Sequence, residues 1–377
     1  MGAHKKTCDL MIPGPVAVDG EVLLEMASPV VAHYGADWVE LYLETIDLAK
    51  QIFQTRSDLF INVGSGHSGV EAAMCSLLEP GEGAIVVETG HFGRRIAELA
   101  ASHQAEVHLI EVEWGKTVEP EQVERALASH PTVKVVALVH NETSTGLANP
   151  VREIAKICRE RDALLAVDAV SSIGGMDLRV DEWGVDVCIA ASQKCLEAPP
   201  GLALVSVSDR AWGHMKARKK PVHGWYLNLL KWKDAAEVGK HFQPYFITMA
   251  VNNVLALRKS MERILHEGLQ PRFTRHKTVG QAFREGVRNL GLQVMGKDDE
   301  ASGILTVFLP PEGREDTEFV SFLCRNYGIQ VAGGLSKLAG KTIRVGHMGP
   351  GAKMTRVVPV LYGLEQWLKA IGFRVGA

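Results

Sequence analysis

Two residues of this sequence have the types and the spacing for chemistry on a carbonyl compound. Lys194 follows an apolar run at residues 185–190, and Asp168 ends a second apolar run that begins at Leu164. A lysine amine attacks a carbonyl carbon only in its neutral form, and burial or a nearby cation lowers its pKa. An isolated loop lysine is usually a solvated surface residue. Asp168, 26 positions earlier, favours a reactive site instead. If the carbonyl compound also contains a pyridine ring, the carboxylate can pair with the cationic ring nitrogen.

Three further strand ends carry groups that are suited to binding. Residues 64–69 follow the first predicted strand and open a helix, whose amides, with the Ser65 hydroxyl, could bind a phosphate. Phe92 follows the second strand in a glycine-flanked turn and could stack on an aromatic ring. The polar run at residues 141–146 follows the fourth strand and could bond a ring hydroxyl. The structural alternatives are a plain strand–helix corner, a core aromatic and a helix cap, respectively.

Taken together, five strand ends carry a phosphate-type loop, an aromatic ring, hydroxyl groups, a carboxylate and an amine. This set matches the contacts of a planar, phosphorylated pyridine aldehyde. The sequence therefore predicts pyridoxal 5'-phosphate as the cofactor, with Lys194 as its covalent attachment point and Asp168 as the partner of its ring nitrogen.

Short apolar strands that alternate with amphipathic helices must position these residues. The predicted strands are residues 59–63, 84–87, 107–110, 133–139, 164–168, 185–190 and 202–207. Such alternation is typical of an α/β fold with a mainly parallel sheet, in which ligands bind at the carboxyl ends of the strands. We predict a large cofactor-binding domain at residues 21–260 with a mainly parallel seven-stranded sheet, preceded by an N-terminal arm at residues 1–20.

A smaller α+β domain is predicted at residues 261–377 from a second, shorter set of strands and helices. Arg344 lies on one of these strands before a glycine turn. Its forked guanidinium suits a substrate carboxylate, and a structural ion pair at the surface is the alternative. Two residues outside this domain could also border the substrate. Gly14 lets the backbone approach a ligand closely, and Tyr34 lies in an aromatic loop.

Length and composition exclude several other functions. With 377 residues the chain is long enough for two domains, since single cores stop growing near ~250–300 residues. The net charge of −3 and the lack of a long basic run argue against a nucleic-acid surface. The six cysteines show no metal-ligand spacing, so we expect no metal. We expect a cytoplasmic protein without membrane contact, because no apolar run has the length of a membrane span and neither terminus resembles a secretory or peroxisomal signal.

Several motifs resemble those of the fold-type I pyridoxal phosphate enzymes, and in particular those of the class V aminotransferases, the family of the alanine–glyoxylate and serine–pyruvate aminotransferases. The matching stretches, in the order of the family, are residues 64–67, 142–146, 167–172, 192–195, 198–201 and 344–346. They extend over nearly the whole chain.

The resemblance implies a role for each matching residue. The implied cofactor-binding residues are Ser65, Gly66, His67, Phe92, Thr143, Asp168, Val170, Gln193, Lys194, Tyr245 and Thr248. Phe92 takes a ring-stacking position that is often Trp in the family. Arg344 is implied to bind the substrate carboxylate. Members of the family are homodimers in which a Tyr and a Thr of the neighbouring subunit complete the phosphate site, and Tyr245 and Thr248 match these positions.

The implied activity is amino-group transfer from alanine or serine to glyoxylate or pyruvate by a ping-pong mechanism. Two related activities remain open. A polar side chain near Tyr34 or Asn252 would favour a ureidoglycine–glyoxylate aminotransferase. The turn at residues 347–350 is similar to that of pyridoxamine–pyruvate aminotransferase, but that relative lacks the Ser-Gly-His loop, so we prefer bound cofactor over free vitamin. A binding protein that only retains the fold would lack Lys194 or Asp168, and both are present.

Overall fold

The computed structural model describes residues 8–374. The expectations about targeting signals at the two termini rest on residues 1–7 and 375–377 and lie outside this range. The strands are β1 Asp9–Leu10, β2 Asp58–Val63, β3 Gly83–Glu88, β4 Glu106–Glu111, β5 Val135–Val139, β6 Asn141–Glu142, β7 Leu147–Ala148, β8 Leu164–Asp168, β9 Val187–Ala191, β10 Leu202–Val207, β11 Leu305–Phe308, β12 Ile329–Gln330, β13 Ala332–Gly333 and β14 Ile343–Gly346. The helices are α1 Gly20–Met26, α2 Ala36–Phe53, α3 Gly66–Leu77, α4 His91–Ser102, α5 Pro120–Ser129, α6 Val151–Glu160, α7 Val180–Trp183, α8 Asp209–Lys216, α9 Leu229–Val238, α10 Val251–Glu267, α11 Leu269–Asn289, α12 Asp316–Tyr327 and α13 Met354–Ala370.

A seven-stranded sheet forms the centre of the molecule, in the order β2-β10-β9-β8-β5-β3-β4. Only β10 runs antiparallel to its neighbours, so the predicted α/β fold with a mainly parallel sheet is confirmed. Every residue of β5, β9 and β10 is buried. These strands read as continuous apolar runs because helices cover both faces of a parallel sheet.

The register of the parallel strands places the chemically important residues at one edge. Asp168, the last residue of β8, pairs with Val139 at the end of β5 and with Ile189 of β9. The loops that follow these three strands therefore leave the sheet side by side. Residues far apart in the sequence, such as Asn141 after β5 and Lys194 after β9, follow the two strands that flank β8.

A second core lies between α11, α12 and α13 and a three-stranded sheet in the order β11-β14-β13. Met11 of the N-terminal segment belongs to this core, and β1 pairs in parallel with β12. The first strand of the chain is thus held by its C-terminal part. The predicted domain limit at residue 260 falls inside α10, whose Met261 and Ile264 pack in the large core, and the division into domains stays a prediction.

None of the helices within residues 8–374 has the length and hydropathy needed to cross a bilayer. The longest, α11, has 21 residues and contains several arginines. Its buried residues include Arg272 and Arg284, which bond backbone carbonyl groups.

The close packing of α3 on the central sheet depends on a glycine. A Cβ atom at Gly69 would lie 2.7 Å from Cγ2 of Ile189 and 3.2 Å from Cγ2 of Val205. Gly213, in α8, offers a control because no atom lies within 4 Å of the corresponding Cβ position. We expect Gly69→Val to lower the free energy of unfolding by ~1–3 kcal/mol through overpacking. Gly213→Ala should raise it by ~0.4–1 kcal/mol, because it restricts the unfolded chain.

Urea unfolding of the two variants, followed by circular dichroism, measures both changes. Equal midpoints for Gly69→Val and the parent protein would show that α3 can move away from β9 and β10 without cost.

Candidate active site

A cavity of about 160 Å³ lies at the carboxyl edge of the central sheet. Its lining residues are Ser65, Gly66, His67, Val70, Phe92, Val139, Asn141, Thr143, Asp168, Val170, Ser171, Gln193 and Lys194. The structure thus brings together nine of the eleven residues that the sequence predicts for cofactor binding. Tyr245 and Thr248 are the two that lie elsewhere.

Lys194 extends into this cavity from the loop after β9, and its Nζ donates a hydrogen bond to the carbonyl oxygen of Pro13. The close approach requires glycine at position 14, where φ is +94° and a Cβ atom would lie 2.7 Å from Nζ. Burial lowers the pKa of Lys194 to about 8, and the positive charge of Arg344 acts in the same direction. The amine is therefore far more often neutral than an exposed lysine, as attack on a carbonyl requires.

Asp168 lies on the floor of the cavity at the end of β8. Its Oδ1 accepts a hydrogen bond of 2.9 Å from the amide of Val170. Burial raises the pKa of Asp168 to about 6, against the opposing effects of this amide and of the Lys194 charge. The carboxylate is still mostly ionised at pH 7, so it can stabilise a cationic group beside it.

The start of α3 forms one wall of the cavity. Ser65 precedes the helix, and its side chain makes no capping bond to it. The amides of Gly66 and His67 belong to the first turn, where helical N–H groups have no partner within the helix. A Cβ atom at Gly66 would lie 2.7 Å from Val170, so this corner is closely packed. Burial lowers the pKa of His67, and the charges of Arg95 and Lys194 lower it further. A neutral imidazole is therefore favoured here.

A second cavity of about 450 Å³ adjoins the first and shares Phe92, Thr143 and Lys194 with it. Arg344 lines this second cavity, together with Gly14. The Nε atom of Arg344 donates a hydrogen bond to the carbonyl oxygen of Gly333 at 2.7 Å, and its Nη1 donates to that of Thr143 at 3.4 Å. Burial lowers the pKa of Arg344 to about 10, so the guanidinium stays charged at neutral pH. The second cavity thus has the Arg344 cation at its wall, beside the Lys194 amine that both cavities share.

Glu142 is a structural determinant that the sequence interpretation did not single out. Its buried carboxylate accepts hydrogen bonds from the amides of Phe92 and Gly93, at 3.0 and 3.1 Å, and from the hydroxyl of Ser144 at 2.6 Å. These amides belong to the first turn of α4, so the expectation that Phe92 lies in a turn rather than in a helix is wrong. A capping carboxylate stabilises the positive end of the helix and fixes the Phe92 ring at the cavity wall.

Asp316 plays a comparable role beside Arg344. Its buried Oδ2 accepts hydrogen bonds from the amides of Gly334 and Gly340, at 2.7 and 3.1 Å. The segment between these glycines begins directly after Gly333, whose carbonyl oxygen orients Arg344. In the sequence, an aspartate at this place reads as an ordinary first-turn residue of a helix.

The remaining predicted residues lie outside both cavities of this chain. The Tyr245 hydroxyl donates to the carbonyl oxygen of His33 at 2.5 Å, and it accepts from the indole of Trp38. Thr248 is exposed. Tyr34 is 48% exposed and stacks on Phe242, with ring centroids 5.4 Å apart. The roles assigned to Tyr34, Tyr245 and Thr248 stay predictions, and within one chain none of the three contacts the cavities.

Asn252 was expected to favour ureidoglycine if its polar side chain bordered the substrate. The structure instead has its amide nitrogen donating to the carbonyl oxygens of Met26 and Ser28, at 3.2 and 2.7 Å. This side chain therefore joins α10 to the end of α1 and does not line either cavity.

Comparison with known proteins identifies close relatives. The chain is 40% identical to an uncharacterized aminotransferase of Methanocaldococcus jannaschii over 97% of its own length and 94% of the relative. It is 34% identical to the (S)-ureidoglycine–glyoxylate transaminase of Bacillus subtilis over 97% and 92%. The crystal structure of an alanine–glyoxylate aminotransferase from Nostoc sp. superposes with a TM-score of 0.92 at 32% identity, over 98% of this chain and 97% of that one. Pyridoxamine–pyruvate transaminase of Mesorhizobium japonicum is also a relative.

The lowered pKa of Lys194 leads to a pH prediction. The apoprotein should couple pyridoxal phosphate with a rate that rises with pH through a midpoint near 8, because the neutral amine is the reactive form. Stopped-flow absorbance at several pH values measures this rate. In Arg344→Met the midpoint should move upward, since a charge that lowers the Lys194 pKa is removed. A midpoint near 10.5, the value of an exposed lysine, would contradict the burial of this amine.

The polar groups of the cavity fit pyridoxal phosphate. Gln193 Oε1 and Asn141 Oδ1 are buried without a hydrogen-bond partner in the described structure, so they can accept hydrogen bonds from a polar ligand. The amides at the start of α3, the Asp168 carboxylate and the Lys194 amine suit the phosphate, ring nitrogen and aldehyde of this cofactor. The class V aminotransferase family model matches residues 22–350. The chain therefore belongs to the class V aminotransferases and is a pyridoxal phosphate-dependent transaminase.

Proposed function

We propose that this transaminase moves the amino group of a small monocarboxylic amino acid, alanine or serine, to glyoxylate or pyruvate. The observation that carries the proposal is the single arginine of the second cavity. Arg344 is buried and charged, and its planar guanidinium can bind one carboxylate with two hydrogen bonds.

The rest of the second cavity supports a small substrate. The residues around Arg344 that face this space include Val320, Val331, Ala332 and Leu335. Among the lining residues that the structure describes, Lys194 is the other cation, and it is assigned to the cofactor. A substrate with a second carboxylate would bury that charge against aliphatic side chains, which costs several kcal/mol, at least ~3. A methyl or hydroxymethyl side chain fits such a wall.

The protein's own groups supply proton transfer and charge balance. Bound pyridoxal phosphate supplies a carbonyl carbon and an electron-accepting ring. Lys194 Nζ, with its pKa near 8, can accept and return a proton inside the cavity. Asp168 Oδ1 is held by the Val170 amide, so the negative charge of the carboxylate stays at the cavity floor. Phe92 and Val170 line the same cavity and would hold the ring between them.

Two other activities remain as alternatives. Pyridoxamine–pyruvate transamination uses a substrate without phosphate, and the start of α3 with the free Ser65 side chain favours a phosphorylated ligand instead. Ureidoglycine–glyoxylate transamination is supported by the 34% identity to the Bacillus subtilis enzyme. Within one chain, however, neither Tyr34 nor Asn252 lines the second cavity, and the Asn252 side chain bonds Ser28 instead.

The proposal includes a homodimer in a cytoplasmic location. Large apolar side chains are exposed close to Tyr34, among them Val30 at 77%, Val31 at 50% and Phe242 at 60%. Clustered exposed apolar groups mark association surfaces. Thr248 is exposed on the segment that precedes α10, so it is available to a neighbouring subunit.

A half-reaction screen tests the substrate proposal. The holoenzyme is mixed with one amino acid at a time, and the loss of the visible cofactor band is followed; each 2-oxo acid is then tested for its return. We expect alanine and serine to react fast, with glyoxylate and pyruvate as acceptors, and aspartate and glutamate to react slowly. Faster reaction with ureidoglycine or with dicarboxylates would overturn the assignment.

Arg344 variants identify the carboxylate contact. Arg344→Ala should raise KM for amino and oxo acids ~10–150-fold, the equivalent of a lost hydrogen bond to a charged group, while the visible band of bound cofactor persists. The KM values of Arg344→Lys should lie between those of the parent protein and Arg344→Ala, because lysine keeps the charge but cannot form the two parallel hydrogen bonds of a guanidinium. Unchanged KM values would assign Arg344 to a structural role.

A variant of Thr248 tests the shared site. Thr248→Ala should weaken pyridoxal phosphate binding ~2–13-fold, the loss expected for one hydrogen bond, without dissociating the dimer. Thr132→Ala is the matched control, since Thr132 is also exposed but precedes β5 at the opposite edge of the sheet. Equilibrium dialysis and analytical ultracentrifugation measure both properties. A stable monomer with full cofactor affinity would refute the role of Tyr245 and Thr248.

A further inference from the structure

Two cysteines that are far apart in the sequence meet at the N-terminal segment. The Sγ atoms of Cys8 and Cys324 lie 2.8 Å apart. Both residues are partly exposed, whereas the other four cysteines of the chain are buried. An oxidant in solution can therefore reach this pair and not the others.

Backbone pairing fixes this approach. Cys8 directly precedes β1, and Cys324 lies in the last turn of α12, which leads through Gly328 into β12. The amide of Asp9 donates to the carbonyl oxygen of Gly328 at 2.7 Å, and Arg356 forms an ion pair with Asp9 at 2.7 Å. The two thiols are thus neighbours because β1 and β12 are paired in register. A disulfide needs sulfur atoms at ~2.05 Å, so bond formation requires a movement below 1 Å.

We propose that Cys8 and Cys324 form a reversible disulfide that fastens the N-terminal segment to α12. The oxidant is a low-molecular-weight disulfide such as glutathione disulfide. One thiolate attacks it, releases one glutathione and forms a mixed disulfide; the second cysteine thiolate then displaces the second glutathione. Two protein thiols lose two electrons and two protons in all, and one glutathione disulfide becomes two glutathione molecules.

The fastened segment leads directly to the active site. Four residues beyond β1, at Gly14, the backbone lies against Lys194, and the carbonyl oxygen of Pro13 accepts its hydrogen bond. The amide of Gly346, two residues after Arg344, donates to the carbonyl oxygen of Met11 at 2.8 Å. The disulfide would hold the outer end of a segment whose inner end contacts the reactive lysine.

Mass spectrometry tests the bond. The holoenzyme is equilibrated in buffers of increasing glutathione disulfide to glutathione ratio, alkylated and digested with trypsin without reduction. We expect one cross-linked pair, residues 7–50 joined to 315–325, with two hydrogen atoms fewer than the separate peptides, and its loss on addition of dithiothreitol. Thiol titration of the denatured protein should fall by two. In Cys8→Ser or Cys324→Ser it should fall by no more than one, because the remaining thiol can form only a mixed disulfide with glutathione. A pair that stays reduced at every ratio, or cysteines that only carry glutathione, would overturn the proposal.

Hydrogen exchange tests the fastening. The amides of Asp9 and Met11 bond carbonyl oxygens of the β12 region, so their exchange reports detachment of β1. We expect exchange in residues 9–11 to slow at least ~10-fold on oxidation, because a cross-link prevents separation of the paired strands. The same treatment of Cys324→Ser should change nothing. Equal exchange in oxidised and reduced protein, with the cross-link present, would show that the bond does not hold the segment.

Discussion

The parallel register of the central sheet is the constraint on which the active site depends. The last residues of β5 and β8 are paired with each other, and Asp168 also pairs with Ile189 near the end of β9, so the loops that follow these strands leave the sheet at the same edge. Asp168 belongs to the last residue pair of this register, and Lys194 lies in the loop that follows β9. The distance between carboxylate and amine is thereby set by sheet geometry, and neither side chain needs a long flexible segment to meet the other.

Burial of charge is the second requirement, and backbone amides rather than counter-ions meet much of it. Glu142 is satisfied by the amides of α4 and by Ser144, and Asp316 by the amides of two glycines. The charges of both carboxylates also act on Arg344, where they raise its pKa against the larger effect of burial. Arg344 therefore stays charged for a ligand carboxylate, and its charge lowers the pKa of Lys194, which favours the reactive neutral amine.

The sequence predicted what local pattern and strand order determine. Strands Leu164–Asp168 and Leu202–Val207 have the predicted bounds, and nine cofactor-binding candidates meet in one cavity. The structural roles of Glu142 and Asp316 were not predicted, because each depends on hydrogen bonds from amides that are distant in the chain. The contact of Pro13 with Lys194 escaped for the same reason. Contacts between subunits, such as those assigned to Thr248, involve a surface that periodicity within one chain does not describe.

The pairing of β1 with β12 also bears on the order in which the protein is made. The large sheet is encoded between residues 58 and 207, and it can form while the ribosome still adds the C-terminal part. Asp9, synthesised first, must wait for Ile329 before it has a strand to pair with. At ~5–20 residues per second this delay lasts tens of seconds. Until then β1 does not hold the segment that carries Pro13 beside Lys194, so the reactive pocket is completed only after much of the C-terminal part has been made.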